Sequence, residues 1–166
     1  GTLLSQDLHF DMVRVGLSMY GYNPSINSKM NLLLQPALFL KSKISFIRKV
    51  KKNTGVSYGS KFITKRDTKL GVISIGYADG INRKLSNNIS VIHNGKSYHQ
   101  VGAITMDQLM IDITDSNQIK VGDTVILLGK EGDQEINPLE WALKSSSIIW
   151  EILCAFKNRL PRIQVK

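Results

Sequence analysis

The sequence predicts a mainly β protein, folded as an antiparallel β-barrel or sandwich with one or two short helices. Two observations favour this fold. The apolar residues of the 166-residue chain fall mostly into short runs of strand length. Turn-forming residues, chiefly Asn, Asp and Gly, separate these runs at close intervals, as in antiparallel barrels and sandwiches.

The expected strands follow this pattern along the chain. They cover residues 38–50, 69–76, 90–93, 97–105, 108–113 and 123–128. In the first strand, alternation predicts one apolar face, formed by Leu40, Ile44, Phe46 and Val50. The clearest hairpin turn is Asn94-Gly95, because both residues tolerate a positive φ angle.

The helical expectations lie near the end of the chain. Asn137 can cap a helix whose first position suits Pro138, and Glu140 stands three residues after that cap. A second run, from Ile148 to Phe156, is helical or extended.

The first residues predict a separate piece of structure. Residues 12–17 form a strand-like run, and a turn-rich connection at 23–31 follows it. We expect a boundary there, which divides the chain into residues 1–31 and 32–166. Because about 40 residues is the usual minimum for independent folding, we expect the stretch before this connection to be the cut end of a larger domain.

The charge is +9, from 22 Lys and Arg against 13 Asp and Glu. Many of the basic residues lie between Lys41 and Lys69, where lysines alternate with apolar residues as on the solvated face of a strand. A nucleic-acid binder is an alternative, and it predicts binding that weakens steeply with salt. No aromatic stacking pattern of the RNA-binding kind accompanies these lysines, so no nucleic-acid partner is expected.

The remaining composition favours a cytoplasmic protein. No apolar run approaches the roughly 20 residues that span a bilayer, so no membrane partner is expected. The first residues lack the features of a signal peptide. Cys154 is the only cysteine, and the three histidines are scattered, so neither a disulfide nor a metal site is predicted.

Five stretches combine polar residues with glycine or proline in ways that a core does not require. They are Val13-Arg14-Val15-Gly16-Leu17, Val56-Ser57-Tyr58-Gly59, Gly76-Tyr77-Ala78-Asp79-Gly80, Thr105-Met106-Asp107-Gln108, and Trp150-Glu151-Ile152-Leu153-Cys154 followed by Arg159-Leu160-Pro161-Arg162. Each alone has a structural explanation, such as a packed tyrosine ring or a tight turn. In this order, however, they resemble the alanine racemases that use pyridoxal phosphate.

The resemblance runs over essentially the whole chain, but it covers only the C-terminal part of that family's chain. It implies that residues 1–31 are a short remnant of the pyridoxal-phosphate-binding (β/α)8 barrel and that residues 32–166 are the C-terminal β-domain. The lysine that forms the Schiff base has no match here. We therefore expect the fragment alone to be inactive and to lose the cofactor.

The resemblance also implies a catalytic residue. Tyr58 resembles the tyrosine that exchanges the α-proton on one face of the substrate, while the lysine serves the opposite face. In the family's homodimer this tyrosine reaches into the active site of the other subunit. A free phenol loses its proton near pH 10, so nearby positive charge is needed for this chemistry.

Cofactor contacts are implied at four residues. Arg14 resembles the arginine that hydrogen-bonds the pyridine nitrogen, which it would leave unprotonated. The backbone of Gly16 and Leu17 matches a phosphate-binding turn. Trp150 stands near the position of a tyrosine that binds the phosphate, and its indole N–H can donate although it lacks a phenol hydroxyl.

The resemblance implies substrate contacts at four further residues. Met106 and Asp107 resemble the pair near the substrate carboxylate, again offered across the dimer. Tyr77 and Arg83 match positions that line the corridor through which substrate enters. The substrate implied is alanine, with serine or another small amino acid left open, and the product D-alanine would supply peptidoglycan.

The chain departs from the family pattern at several positions. Ala103 stands where the family commonly has an arginine, and Thr105 where it commonly has a cysteine. A non-catalytic β-barrel module for binding or dimerisation, with racemase-like motifs, is the alternative function. A barrel domain with its lysine motif upstream in the reading frame would favour the enzyme over this module.

Overall fold

The computed structural model describes residues 5–24 and 34–164, in two compact units, Gly1–Phe39 and Leu40–Lys166. The second unit carries the sheet and the helices. Its strands are β1 (Leu40–Val50), β2 (Gly55–Val56), β3 (Phe62–Ile63), β4 (Thr68–Ile73), β5 (Ser90–His93), β6 (Lys96–His99), β7 (Leu109–Asp112), β8 (Thr124–Glu131) and β9 (Gln134–Ile136). Helices α1 (Pro138–Ser145) and α2 (Ile149–Cys154) follow them.

The main sheet is antiparallel, with the spatial order β6-β5-β8-β1-β4-β7 and with β9 paired to β8. Strands β2 and β3 form a separate small hairpin. The predicted antiparallel β fold with two helices is thus confirmed. The order of the strands makes β1 central, since its first half pairs with β8 and its second half with β4.

A β-bulge in β1 corrects one part of the predicted strand face. Leu40 and Ile44 are buried and Val50 is half-buried, as expected, but Phe46 is 56% exposed. The register on β4 shifts between Ile44 and Phe46, so one extra residue enters β1 there. Because side chains alternate with a period of two, this insertion turns Phe46 to the solvent face.

The Asn94-Gly95 turn joins β5 and β6, which confirms the predicted hairpin. Both turn residues have positive φ angles, 49° and 69°, and His93 pairs with Lys96 across the turn. This is the type I′ geometry that matches the right-handed twist of the flanking strands.

The expected strand at 97–105 is wrong in its second half. Strand β6 ends at His99, and the ladder continues only through an isolated bridge between Gln100 and Ile111. Gly102 then adopts a positive φ of 82°, which takes the backbone out of extended geometry. The other expected strands are present, with boundaries displaced by at most three residues.

Helix α1 begins at its predicted cap. The Asn137 side chain accepts a hydrogen bond from the Leu139 N–H at 2.9 Å, and Pro138 occupies the first turn of α1. The run from Ile148 is helical over α2. Helix α1 carries Trp141, which is fully buried.

The core of the second unit consists mainly of branched aliphatic residues from the sheet and from the turns that leave it. Its fully buried members include Ile73, Ile104, Ile111, Val125 and Leu127. Each such side chain stabilises the fold by roughly 1.5–3 kcal/mol relative to an exposed position. The core therefore holds both the strands and the irregular segment around Ile104.

The described part of the first unit contains 3₁₀ turns and irregular backbone. Residues 12–16 have no regular secondary structure, so the strand predicted at 12–17 is wrong. A strand needs a neighbour to bond its backbone, and the described part of this unit contains no other strand. Leu17 instead starts a 3₁₀ turn (Leu17–Tyr20), which the left-handed Gly21 ends. Of the predicted connection at 23–31, residues 25–31 lie outside the described residues.

Candidate functional site

Tyr58 lies on the surface of the second unit, at the start of a 3₁₀ turn (Tyr58–Ser60) between β2 and β3. Its side chain is 74% exposed. A structural tyrosine ordinarily buries its ring and bonds its hydroxyl to a nearby polar group. The exposure of this ring therefore removes the main structural explanation for the residue.

The loop around Tyr58 is held in an unusual backbone conformation. Ser57, Gly59 and Ser60 have positive φ angles of 64°, 70° and 46°. The Ser57 hydroxyl donates to the carbonyl oxygen of Ala103 at 2.7 Å. This contact ties the loop to the segment that leads to Met106 and Asp107.

Residues 101–107, here called the bridging segment, have no regular secondary structure, and side chains supply many of their backbone partners. The Gly102 N–H donates to Asn87 Oδ1 at 2.6 Å, and its carbonyl accepts from Gln100 Nε2 at 2.9 Å. The Ile104 N–H donates to Ser86 Oγ at 3.0 Å. Because buried backbone groups need partners, these side chains hold the bridging segment in place.

The end of the bridging segment is docked on the turn that carries Tyr77. The carbonyl oxygens of Thr105 and Met106 accept hydrogen bonds from the N–H groups of Tyr77 at 2.9 Å and Ala78 at 3.0 Å. A side chain at Gly76 would collide with these same two carbonyls, so the close approach requires glycine. The structure thus brings together the predicted residues Tyr77, Met106 and Asp107.

Arg159 joins this cluster, and sequence reasoning did not single it out as a site residue. Its Nε lies 3.1 Å from Asp79 Oδ1, and its Nη2 bonds Asp107 Oδ1. The hydrogen bond that Arg159 donates to Asp107, followed by the charge of Asp79, raises the pKa of Arg159 above its ordinary value. Asp79, Asp107 and Arg159 are far apart in sequence, so the advance signal was only the place of Arg159 in the Arg159-Leu160-Pro161-Arg162 stretch.

Arg83 and Trp150 lie elsewhere on the second unit. Arg83 is exposed at the start of a 3₁₀ turn (Arg83–Leu85), and its carbonyl accepts from Ser86, which also bonds the bridging segment. Trp150 is 42% exposed on α2. Both side chains are therefore accessible at the surface of this unit.

The predicted cofactor residues Arg14, Gly16 and Leu17 lie in the first unit. Arg14 and Gly16 are exposed, and Leu17 is buried at the start of its turn. Among the described residues, no heavy atom comes within 4 Å of the place where a Cβ would stand on Gly16. An accessible guanidinium beside an open backbone suits an anionic aromatic cofactor such as pyridoxal phosphate.

The departures from the family pattern have clear structural settings. Ala103 is buried, with 1% exposure, so its position faces the protein interior in this unit. The Thr105 hydroxyl donates to the Gln108 carbonyl at 2.9 Å and accepts from the Gln108 N–H at 3.2 Å. Thr105 therefore closes the turn that presents Met106 and Asp107.

The described residues, 5–24 and 34–164, contain no group of three or more His, Cys, Asp or Glu side chains arranged to hold a metal ion. In the same ranges, no helix has the length and apolar character needed to cross a membrane.

Comparison with known proteins identifies the class to which this fold corresponds. The model of the family described as "Alanine racemase, C-terminal domain" matches residues 37–164. The chain therefore belongs to the alanine racemase C-terminal domain family. It is 56% identical over 99% of its length to an alanine racemase of Prochlorococcus marinus, of which it covers 43%.

Further relatives agree with this assignment. An alanine racemase of a Nostoc species is 45% identical over 99% of the chain, which covers 42% of that protein. The structure of the Bacillus anthracis alanine racemase with bound L-Ala-P matches all of this chain, with a TM-score of 0.92 and 38% identity, and 43% of it is covered. The Bartonella henselae alanine racemase with covalently bound pyridoxal phosphate matches 99%, with a TM-score of 0.88 and 33% identity, and 45% of it is covered. The chain thus spans less than half the length of these relatives.

Proposed function

We propose that this chain is the C-terminal portion of a pyridoxal-phosphate-dependent alanine racemase and that Tyr58 is its proton-transferring residue. The observation that carries the proposal is the exposed phenol of Tyr58 on a loop anchored to the bridging segment. An exposed ring with an ordered backbone is suited to reach a site that its own domain does not contain. The family assignment supports the same role.

The chemistry needs two proton-transferring groups on opposite faces of the substrate. Bound pyridoxal phosphate makes the α-proton of an amino acid acidic by delocalising the electrons that the proton leaves behind. Tyr58 exchanges that proton at its phenol oxygen on one face, and a cofactor-binding lysine outside this chain serves the other. Because one face loses the proton and the other gains it, L- and D-alanine interconvert.

Other residues of this chain bind and orient. Met106 and Asp107 lie on the same segment as Ala103, which anchors the Tyr58 loop, and we assign them to the surroundings of the substrate carboxylate. Tyr77 and Arg83 are assigned to the corridor through which substrate enters. Since Tyr58, Met106 and Asp107 are offered to a site on another subunit, the complete protein acts as a homodimer.

The resemblance assigns cofactor contacts to each unit separately. In the first unit, Arg14 would hold the pyridine nitrogen, and the backbone of Gly16 and Leu17 would hold the phosphate. In the second unit, the Trp150 indole N–H would be a phosphate donor. The covalently bound pyridoxal phosphate of the Bartonella henselae relative supports pyridoxal phosphate as the cofactor. The bound L-Ala-P of the Bacillus anthracis relative supports alanine as the substrate.

The proposal extends to architecture and cellular role. Residues 1–31 are assigned to the end of a (β/α)8 barrel and residues 32–166 to a barrel-like β-domain. The bridge between Gln100 and Ile111 supports closure, because it links the residues after β6 to β7, at the two ends of the strand order. D-alanine made in the cytoplasm would supply peptidoglycan synthesis.

Tyr58→Phe in the complete protein tests the catalytic role. The substitution removes only the hydroxyl, so kcat for racemisation should fall by roughly 10²–10⁴-fold. Binding of pyridoxal phosphate, followed by its visible absorption, should be retained. The matched control is Tyr98→Phe in β6, which should leave kcat unchanged. Near-normal turnover by Tyr58→Phe would contradict the proposal.

A second experiment concerns the chain of 166 residues by itself. Since no residue here matches the cofactor-binding lysine, we expect no formation of D-alanine from L-alanine in the presence of pyridoxal phosphate. Chiral chromatography of the reaction mixture measures the product. Stoichiometric cofactor together with turnover would overturn the assignment of the lysine to another segment.

A further inference from the structure

We propose that Ser57 is a positioning residue, whose strained backbone and side-chain hydrogen bond together aim the phenol of Tyr58. The inference rests on the proposed function of Tyr58. It adds a neighbouring residue that touches neither substrate nor cofactor in its proposed role and that acts only through the orientation of the loop.

The backbone of Ser57 has φ 64° and ψ −175°. This region of conformational space is occupied almost only by glycine, because a Cβ in it crowds the neighbouring peptide groups. A serine held there raises the free energy of the folded state. Such strain persists only where the surrounding contacts determine the conformation, and it is concentrated at functional sites.

The contacts on either side of Ser57 are specific. The preceding residue, Val56, is 2% exposed and packs with Leu70 and Val101. Gly102 lies so close to Val56 that a Cβ there would stand 2.8 Å from the Val56 carbonyl oxygen. The backbone that enters Ser57 is therefore fixed in position before the chain turns outward.

The side chain of Ser57 ties the loop to the bridging segment. Serine at the start of a helical turn ordinarily accepts a hydrogen bond from a backbone N–H of that turn. Ser57 makes no such cap and instead donates to the Ala103 carbonyl, 46 residues along the chain, at 2.7 Å. A glycine would relieve the strain but could not make this bond, whereas alanine would keep the strain and lose the bond.

The direction of Tyr58 follows from these constraints. Rotation of the Ser57 peptide to a relaxed conformation would redirect the next Cα–Cβ bond, and with it the long side chain of Tyr58. Proton transfer needs the phenol oxygen within hydrogen-bonding distance of the reacting carbon, so a displacement of about 1 Å is costly to the rate. Ser57 thereby converts local strain into a single orientation of the catalytic group.

The test uses Ser57→Gly and Ser57→Ala in the complete, cofactor-loaded protein, with Tyr58→Phe in parallel. For Ser57→Gly we expect kcat to fall roughly 10–100-fold, with little change in KM and with a thermal unfolding midpoint above that of Ser57→Ala. For Ser57→Ala we expect a similar fall in kcat. A residue that only maintained the fold would lower the unfolding midpoint together with kcat. The matched control is Asn94→Gly, which relieves a positive φ of 49° outside the Tyr58 loop and should leave kcat unchanged.

The outcomes separate the two hypotheses. If Tyr58→Phe keeps its activity, both the proposed function and this inference are wrong. If Tyr58→Phe is inactive but either Ser57 variant loses less than about threefold in kcat, the function stands and the positioning role is overturned. A Ser57→Gly midpoint below that of Ser57→Ala also overturns it, because both variants lose the bond to Ala103 and only glycine relieves the strain.

Discussion

Arg159 and Asp107, 52 residues apart in sequence, form an ion pair at the surface of the second unit. The same guanidinium lies 3.1 Å from Asp79, whose carboxylate also accepts the Gly76 N–H at 2.9 Å. Arg159 therefore connects the turn that carries Tyr77 to the turn that carries Met106. Loss of this cation should loosen two predicted substrate-facing elements at once.

The first prediction concerns Arg159→Gln in the complete protein. The KM for alanine should rise several-fold, because Asp107 loses the partner that orients it, while kcat should change less. Steady-state kinetics in both directions of racemisation measures the changes in KM and in kcat separately. The control is Arg162→Gln, which removes only a donor to the Phe156 carbonyl. Unchanged KM in Arg159→Gln would show that the ion pair does not orient the site.

The second prediction concerns Gln100, which is fully buried and supports the bridging segment. Its Nε2 donates to the Gly102 carbonyl and its Oε1 accepts the Asn87 N–H at 2.6 Å. Gln100→Leu leaves both backbone groups unpaired, at about 1–3 kcal/mol each, so the free energy of unfolding should fall by more than about 2 kcal/mol. Urea denaturation monitored by circular dichroism measures it. Gln118→Leu, at an exposed turn, is the control and should cost little.

The third prediction concerns the close approach at Gly76. Gly76→Ala places a methyl group against the carbonyls of Thr105 and Met106, so the Tyr77 turn must move away. We expect lower stability and lower racemisation, because the overlap is with backbone atoms that cannot rotate aside. Thermal unfolding and kcat/KM measure the two effects. Gly95→Ala, where a Cβ meets open space at φ 69°, should cost only about 1–2 kcal/mol of backbone strain and no activity. Equal behaviour of the two variants would contradict the proposed clash.

The fourth prediction concerns stability in acid. The hydrogen bond from Lys51 lowers the pKa of Asp67, and the hydrogen bond from Arg66 lowers the pKa of Asp115, both from an ordinary value of 3.8. The unfolded chain therefore binds these protons more tightly than the folded state does. The stabilisation is complete above the ordinary pKa and is lost as the pH falls through the lowered values.

An Asp67→Asn, Asp115→Asn double variant should consequently lose less stability than the parent chain as the pH falls below the ordinary aspartate value of 3.8. The unfolding midpoint as a function of pH measures this slope. Asp133→Asn, at the exposed turn between β8 and β9, serves as the control with an unchanged slope. A double variant with the slope of the parent would show that the two ion pairs do not contribute. Both aspartates are at the surface, so the effect should shrink in high salt.

Local signals in the sequence were sufficient for several elements. The Asn94-Gly95 turn and the Asn137 cap each depend on the conformational preferences of two or three neighbouring residues, and both were predicted correctly. The positive φ angles and the side-chain cap are formed within the turn itself. Such features do not depend on what the rest of the chain does.

Features set by distant partners were not predictable in the same way. Phe46 is turned outward by a bulge that only the pairing of β1 with β4 reveals. Residues 101–105 show the apolar alternation of a strand. Their backbone is instead irregular, because it bonds to the side chains of Asn87, Gln100 and Ser86. Arg159 acquires its significance only when folding brings Asp79 and Asp107 beside it. The family resemblance supplied the candidate site residues. The contacts that hold these residues in place join distant parts of the chain and are visible only in the structure.

The central position of β1 has a consequence during synthesis on the ribosome. This strand emerges well before β8, so the edge that will pair with Leu128 and Ile126 stays open while β2 to β7 are still being made. At about 5–20 residues per second, this exposure lasts for seconds. Lys41 and Lys43, exposed on the half of β1 that pairs with β8, carry charge that discourages other nascent chains from adding to the open edge. Two of the chain's many lysines thus protect the strand pairing that spans the greatest separation in sequence.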